Sequence, residues 1–509
     1  MDLLNSDLKV LEAYSRDASL FKVMPKFVAI PKNVEELKQL VKFARENKES
    51  LTMRAGGSDM TGGPLSKSII VDIKNFNKIG EIKAGGTSVG PGVFYRDFEP
   101  KTLAQGLILP CYPASKDIAA IGGMAGNNCG GEKSLRYGKM ENFVVESKWI
   151  FADGNEYVIK PVSKAAFDTG YEQEIFELIE QNKEIIEKAR PKVSKNSAGY
   201  YLWNVWDGKT FDLNKLLVGS QGTLGIMTEA TVRLVPAKKH HDMVALFFKS
   251  WDDMPGVVNT ILPYEPESLE TFDKDTIKMG MKFMPFYFAT RFLPETLIGI
   301  KMLGLPELVV LAEIAEETEV EVKRKIAGIT EALKPFKIQS RVVDKDSEEE
   351  KFWKVRRESF NLLRKHSGNK RTAPFVEDFS IRPELIPEFL PKAKKILEDA
   401  GIEVNIAGHA GNGNFHIIPL MDLKLASERH KLLPVADKFY SLVAEYKGSI
   451  TGEHNDGIIR TPYLSKMYSP EMLELFKKVK QIFDPENIFN PGKKVGGTLE
   501  DIKNHLALD

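Results

Sequence analysis

The sequence predicts a protein of the α+β class, from two patterns along the chain. The apolar run FVAIP at 27–31, a helical pattern over 33–48 and the run SIIVDI at 68–73 indicate a strand–helix–strand unit near the N-terminus. Further along, strand-like runs at 243–248 and 307–314 alternate with helical stretches. That alternation is typical of an antiparallel sheet with helices on one side.

The composition is that of an ordinary globular protein and excludes several classes. Lysine and arginine number 71, as do aspartate and glutamate, which argues against a nucleic-acid binder. Two cysteines, Cys111 and Cys129, exclude a disulfide framework and an iron–sulfur cluster held by this chain alone. The N-terminus does not resemble a signal peptide, and charges interrupt the most apolar stretch, 284–314. We expect a cytoplasmic enzyme without a transmembrane segment.

The first chemical signal is the glycine-rich tract RAGGSDMTGG at 54–63. Four glycines and three small polar residues cannot fill a core, but they can expose backbone N–H groups that grip a pyrophosphate. Taken alone, the tract could equally be a flexible surface loop.

Two further small-residue tracts, at 113–131 and 217–228, favour the binding interpretation. Separated tracts of this kind indicate a large flat ligand that passes between backbones at close range. Neither the dinucleotide fingerprint GxGxxG nor a P-loop occurs in them, so a nucleotide would be held in another way.

This order of tracts, followed by FDPENIFNPGK at 483–493, resembles the FAD-binding domain of flavoproteins of the vanillyl-alcohol-oxidase type. The resemblance implies an FAD-binding domain of two α+β subdomains over 1–236, an inserted antiparallel-sheet cap domain over 237–425, and a helical segment over 426–509 that completes the FAD site. It also implies that the residues holding FAD are Arg54, Ala55, Gly56, Gly57, Ser58, Asp59, Thr61, Pro113, Ala114, Ser115, Gly122, Gly123, Gly126, Asn128, Gly225, Ile226 and Asn490.

The chain departs from that pattern in two respects. Gln221 stands where the family usually has a glutamate, which weakens any contact that depends on a charge there. Family members with covalent FAD usually have a histidine in the first tract, and 54–63 contains none. The resemblance therefore implies non-covalent FAD.

A second group of candidate residues lies late in the chain. In GHAGNGNFH, His409 and His416 flank a glycine- and asparagine-rich turn between two strand-like runs, so a hairpin can bring them together. With Glu453 of TGEHNDG they make a three-ligand metal site that leaves a position open for water or substrate. The alternative for either histidine alone is a hydrogen-bonded core residue.

These segments resemble the D-2-hydroxyacid dehydrogenase branch of the family. The resemblance implies that His409, His416 and Glu453 bind a divalent metal, with zinc as first choice and iron or manganese as alternatives. It implies that His454 is the general base. Arg356, and after it Arg460, are candidates to bind the substrate carboxylate, the alternative for each being a surface arginine.

Two positions depart from the branch pattern. Asn455 replaces a glycine, and asparagine tolerates a left-handed backbone better than most residues. Asn412 stands where an aspartate is often expected, which alters the hydrogen bonds behind the site.

The sequence thus predicts an FAD-dependent dehydrogenase that oxidises a small D-2-hydroxy acid of the D-lactate, glycolate or D-2-hydroxyglutarate type to the 2-oxo acid. The alternatives are an oxidase that uses oxygen directly and a non-catalytic flavin-binding subunit of a redox complex. A separate iron–sulfur protein or a quinone is expected to accept the electrons, and a quinone would give peripheral contact with a membrane.

Overall fold

The computed structural model describes residues 3–167, 169–343, 346–366 and 369–508. Its first layer contains β1 (Leu4–Asn5), α1 (Leu8–Tyr14), β2 (Phe27–Ala29), α2 (Val34–Asn47), β3 (Leu51–Arg54) and β4 (Ile69–Asp72). The strands form a sheet of order β1-β2-β4-β3, in which β4 runs parallel to both β2 and β3. The predicted strand–helix–strand unit is present, and the Asn33 side chain caps α2 by accepting a hydrogen bond from the N–H of Glu36.

A second, antiparallel sheet completes the N-terminal part of the fold. Its elements are β5 (Thr87–Val89), α3 (Tyr95–Leu103), β6 (Leu107–Ile108), α4 (Ile121–Asn127), α5 (Ser134–Tyr137), β7 (Val144–Ile150), β8 (Glu156–Ile159), α6 (Gly170–Gln181), α7 (Lys183–Ala189), α8 (Asn214–Leu217), β9 (Ile226–Val232) and β10 (Val235–Pro236). The sheet has the order β5-β9-β7-β8, and β6 pairs separately with β10. The first and second glycine-rich tracts are mostly loops, whereas the third leads into β9.

The middle of the chain forms an eight-stranded antiparallel sheet. Its elements are β11 (His240–Phe248), α9 (Met254–Ile261), β12 (Ser268–Asp273), α10 (Lys274–Phe283), α11 (Pro285–Arg291), α12 (Leu293–Met302), β13 (Leu308–Glu316), α13 (Glu319–Ala332), β14 (Gln339–Val343), α14 (Asp346–His366), β15 (Arg371–Thr372), β16 (Asp378–Ser380), α15 (Ile386–Asp399), β17 (Glu403–His409) and β18 (Asn414–Met421). The order is β14-β11-β13-β12-β17-β18-β15, with β16 paired to β18.

Helices cover both faces of this sheet, so the expectation of helices on one side is wrong. Alternate residues of β11 and β13 pack with α9 and α13 on one face, and the intervening residues pack with α10, α12 and α14 on the other. Residues 243–248 of β11 are all apolar and all buried, so both faces of that part of the strand are covered and its apolar pattern is continuous rather than alternating.

The C-terminal segment contains α16 (Ala426–Glu445), α17 (Gly457–Arg460), α18 (Pro470–Phe483) and α19 (Leu499–His505). It contacts both earlier parts of the chain: α16 packs on α15, and α18 packs on α6 and α7. Beyond α18, the chain runs beside β3, where the N–H of Asn490 donates to the carbonyl of Leu51 at 2.9 Å. Among the described residues, no helix is long and apolar enough to cross a membrane.

Candidate active site

A cavity of about 530 Å³ lies where the glycine-rich tracts meet the eight-stranded sheet and the C-terminal segment. Most of the residues predicted to hold FAD line it. They are Ala55, Gly56, Gly57, Ser58, Asp59, Pro113, Ala114, Ser115, Gly122, Gly123, Gly126 and Gly225. The same cavity is lined by His409, His416, Glu453, His454 and Arg356. Most of the predicted cofactor residues therefore share one space with the predicted metal ligands, the predicted base and the first candidate for binding the substrate carboxylate.

Close approach of the first two tracts explains the glycine at position 56. A Cβ atom there would lie 2.2 Å from the carbonyl oxygen of Ile118, well inside any real contact distance. Asp59 orders the first tract because its Oδ2 accepts hydrogen bonds from the N–H of Gly63 and the hydroxyl of Thr61, both at 2.7 Å. The tracts form a cradle of exposed backbone that suits a flat, phosphate-bearing ligand such as FAD.

Five predicted FAD residues are not among those that line the cavity, and they support its walls instead. The Arg54 guanidinium donates to the carbonyls of Tyr14 and Arg16. Asn128, in the left-handed conformation at φ 49°, accepts the N–H of Glu141. The other three are Thr61, Ile226 and Asn490, all buried.

Asn490 and Gln221 link tracts that are distant in sequence. The Asn490 amide donates to the carbonyls of Gly63 at 3.0 Å and Gln221 at 2.7 Å, so the C-terminal segment fastens the first tract to the third. Gln221 lines the cavity; its Oε1 accepts the N–H of Gly457, and its Nε2 donates to Asn127 at 3.3 Å. An amide can make both contacts, whereas a carboxylate at position 221 could not donate.

The predicted histidine hairpin is present. β17 ends at His409, β18 begins at Asn414, and the two imidazole centroids lie 5.4 Å apart. Oε1 of Glu453 lies 3.1 Å from Nε2 of His409 and 3.4 Å from Nε2 of His416. Two ligand atoms on one tetrahedral zinc ion are ~3.3 Å apart, so these three buried donors fit a divalent metal.

Two carboxylates stand behind the histidines, and the sequence did not identify either. Glu270, on β12, bonds Nδ1 of His409 through one oxygen and Arg356 through the other, at 3.0 Å. Oε2 of Glu377 lies 3.6 Å from Nδ1 of His416. The Glu270 hydrogen bond orients the His409 imidazole and leaves its Nε2 for an ion, whereas the contact of Glu377 with His416 is longer than a hydrogen bond. The run VEDFS at 376–380 held the only local signal for Glu377.

Lys195 is a further residue that the sequence did not reveal. Its side chain is buried, and its Nζ lies 2.8 Å from Oε2 of Glu453. Burial raises the pKa of Glu453, but Lys195 and His409 outweigh burial and hold that pKa well below its usual range. The carboxylate is therefore ionised, as a metal ligand must be.

Asp378 fixes the backbone of the GEH motif. Its Oδ2 accepts the N–H groups of Glu453 at 3.0 Å and His454 at 2.9 Å. Asn455 takes a left-handed backbone at φ 72°, as expected for the residue that replaces glycine. Asn412 makes its contact behind the site, where its amide lies 3.3 Å from the hydroxyl of Ser194.

His454 stacks on His416 at 5.0 Å between centroids, and its Nδ1 lies 2.9 Å from Oε2 of Glu377. Its Nε2 is 3.9 Å from Oε1 of Glu453. Burial lowers the pKa of His454, but Glu377 and Asp378 outweigh burial and raise it to about 10. A like charge close by would lower that pKa again.

The two candidate arginines differ in position. Arg356, on α14, lines the cavity beside His409, as does its neighbour Arg357. Arg460 is fully buried and is not among the described residues that line this cavity; it donates to Glu377 and to the carbonyl of Asn455. Arg460 therefore holds Glu377 in position, and its geometry does not favour a direct contact with substrate.

Two sequence profiles match the chain. The profile for the C-terminal domain of FAD-linked oxidases matches residues 237–494, just over half of the chain. A profile for an FAD-binding domain matches residues 25–159, which include the whole of the first and second glycine-rich tracts.

Similar proteins have several names. A D-2-hydroxyglutarate dehydrogenase from Pseudomonas putida is 25% identical over 96% of this chain and 50% of its own length. A D-lactate dehydrogenase from Archaeoglobus fulgidus is 28% identical over 95% of this chain and 96% of its own length. The glycolate oxidase subunit GlcD from Bacillus subtilis is 26% identical over 94% and 91%. The chain thus spans half the length of the first relative and most of the other two.

Solved structures share the fold. The p-cresol methylhydroxylase structure has a TM-score of 0.71 at 16% identity, over 98% of this chain and 95% of that chain. The 4-ethylphenol oxidase from Gulosibacter chungangensis has a TM-score of 0.70, with the same identity and coverage. These matches and the two profiles confirm the predicted α+β fold of the vanillyl-alcohol-oxidase type. The chain belongs to the FAD-linked oxidase family and contains that family's FAD-binding domain.

Proposed function

We propose that the chain is an FAD-dependent dehydrogenase that oxidises a small D-2-hydroxy acid to the 2-oxo acid. The observation that carries the proposal is the single cavity in which the glycine-rich cradle faces His409, His416, Glu453, His454 and Arg356. The D-lactate, D-2-hydroxyglutarate and glycolate names of the relatives support this substrate class.

When bound, FAD would accept a hydride from C2 of the substrate, and a divalent metal held by His409, His416 and Glu453 would stabilise negative charge on the C2 oxygen. Arg356, at the cavity wall, binds the substrate carboxylate through charge-assisted hydrogen bonds. Nε2 of His454 takes the hydroxyl proton. The substrate thus loses one proton and one hydride, and the C2–O bond becomes a carbonyl.

His454 can accept that proton only in its neutral form. Glu377 and Asp378 favour its protonated form, and a dication held next to it by Glu453 would oppose them. The proposed mechanism therefore requires a metal ion held by His409, His416 and Glu453 for His454 to act as the base. The base role of His454 rests on its cavity-lining position, with Glu377 orienting its Nδ1.

FAD is proposed to bind without a covalent bond, because 54–63 offers no histidine. The two-histidine, one-glutamate donor set suits zinc, iron or manganese. Electrons are proposed to pass to a separate iron–sulfur protein or a quinone, since the two cysteines of this chain cannot hold a four-cysteine cluster.

Anaerobic mixing of the yellow protein with paired D- and L-2-hydroxy acids tests the proposal. Lactate, glycolate and 2-hydroxyglutarate form the panel, and loss of flavin absorbance is followed. We expect rapid bleaching by one or more D acids and slow reoxidation in air. Rapid reoxidation would instead identify an oxidase, and a flavin that no panel member reduces would identify a non-catalytic flavin-binding subunit.

A further inference from the structure

An apolar patch lies exposed on the helical segment α10–α12, and none of its members lines the cavity of the proposed active site. We define it as the "cap patch". Its members are Met281, Phe286, Leu293, Leu297, Ile300 and Leu303, with exposed fractions of 44%, 82%, 63%, 63%, 66% and 93%. Isolated exposed apolar residues are common in monomers, but six within 23 consecutive residues form a cluster, which marks an interaction surface.

The geometry of α12 gives the patch one continuous face. Leu293, Leu297 and Ile300 are spaced i, i+4 and i+7, so their side chains project from the same side of the helix. The flanking residues Phe292 and Met302 are buried in the core beneath. The helix is thus already packed through another face, and its exposed aliphatic face is left for a partner outside the chain.

The exposed charged side chains within the segment that carries the cap patch, residues 281–303, are cationic. Lys282, Arg291 and Lys301 are all exposed there. The only acidic residue between positions 280 and 304 is Glu295, which is largely buried and pairs with Arg341 and Lys351. Its charge is therefore matched within the fold, and the solvent-facing side of this segment is positive.

We propose that the cap patch docks on the surface of an anionic phospholipid bilayer. Aliphatic and phenyl side chains beside lysine and arginine are the combination that lies in a membrane interface, with the cations reaching anionic headgroups. The exposed cations Lys282, Arg291 and Lys301 favour an anionic surface over a second copy of the chain. The same cations of a second copy would repel them wherever the two patches face each other. The inference does not depend on which substrate the enzyme oxidises.

Co-sedimentation of the full FAD-loaded protein with vesicles tests the inference. One vesicle preparation is phosphatidylcholine alone, and the other contains phosphatidylglycerol as well. We expect binding to the anionic vesicles at low salt, and at least a tenfold loss of binding for the double variant Leu297→Glu/Ile300→Glu. Because both side chains are about two-thirds exposed, the variant should fold and retain FAD.

A matched control adds two carboxylates elsewhere. Leu8→Glu/Val158→Glu changes two exposed apolar residues of the N-terminal part, and it should bind vesicles as the wild type does. Equal loss of binding in this control would overturn the assignment to the cap patch, and equal binding to both vesicle types would overturn the assignment of an anionic bilayer as the partner. A wild-type dimer that the Leu297→Glu/Ile300→Glu variant converts to a monomer in ultracentrifugation would show instead that a second copy covers the patch.

Discussion

Replacement of Arg460 by methionine separates a positioning role from a substrate-binding role. Arg460 and Glu377 are both fully buried and form an ion pair. Loss of one partner of a buried pair leaves an uncompensated charge and costs about 3–5 kcal/mol. Because His454 remains within 2.9 Å of Glu377, we expect the lower end, about 3 kcal/mol of unfolding free energy.

Urea unfolding of the holoenzyme, at equal FAD excess for every variant, measures the loss. The double variant Arg460→Met/Glu377→Gln should recover part of it, because a neutral amide is cheaper to leave unpaired than a carboxylate. In steady-state assays, KM for the hydroxy acid should rise strongly for Arg356→Met and little for Arg460→Met. The reasoning would be refuted if Arg460→Met were as stable as the wild type and raised KM more than Arg356→Met does. Arg460 would then be the ligand of the substrate carboxylate.

Three further predictions concern the cradle and the metal donors. Gly56→Ala should weaken FAD binding at least tenfold in a fluorescence titration, because its Cβ meets the Ile118 carbonyl; Gly85→Ala, where a Cβ has nothing within 4 Å, is the control that should bind normally. Lys195→Met should lower metal affinity about 10–100-fold, since it removes the cation that orients Glu453; unchanged metal content after dialysis against a chelator would contradict it. His454→Gln should keep FAD and metal but slow flavin reduction about 10²–10⁴-fold, whereas loss of the metal would make His454 a ligand.

The features that sequence alone predicted have local signatures. Glycine-dense tracts reveal a backbone cradle because no other residue type permits the contact between Gly56 and Ile118. The hairpin that joins His409 and His416 follows from turn residues between two strand-like runs. The two histidines, seven positions apart in the sequence, are therefore brought together across the turn. Asn33 likewise marks the start of α2 through its own side chain.

The remaining features depend on contacts between distant segments. Glu270 reaches His409 across 139 positions, and Lys195 reaches Glu453 across 258, so no spacing rule relates them. The role of Arg460 could not be read from its place after the GEH motif, because only the fold shows that it faces Glu377. Helices on both faces of the large sheet were missed because a continuous apolar strand does not say what covers each face.

The rate of anaerobic flavin reduction in wild type and Glu453→Gln, with FAD and metal content measured in the same samples, tests the central claim most directly. The account predicts that a D-2-hydroxy acid bleaches the wild-type flavin and that its L enantiomer does so far more slowly. It predicts that Glu453→Gln retains FAD, loses the metal and reduces its flavin slower by a factor on the order of 10² or more. Equal reduction rates in the two proteins, with the metal absent from the variant, would contradict it.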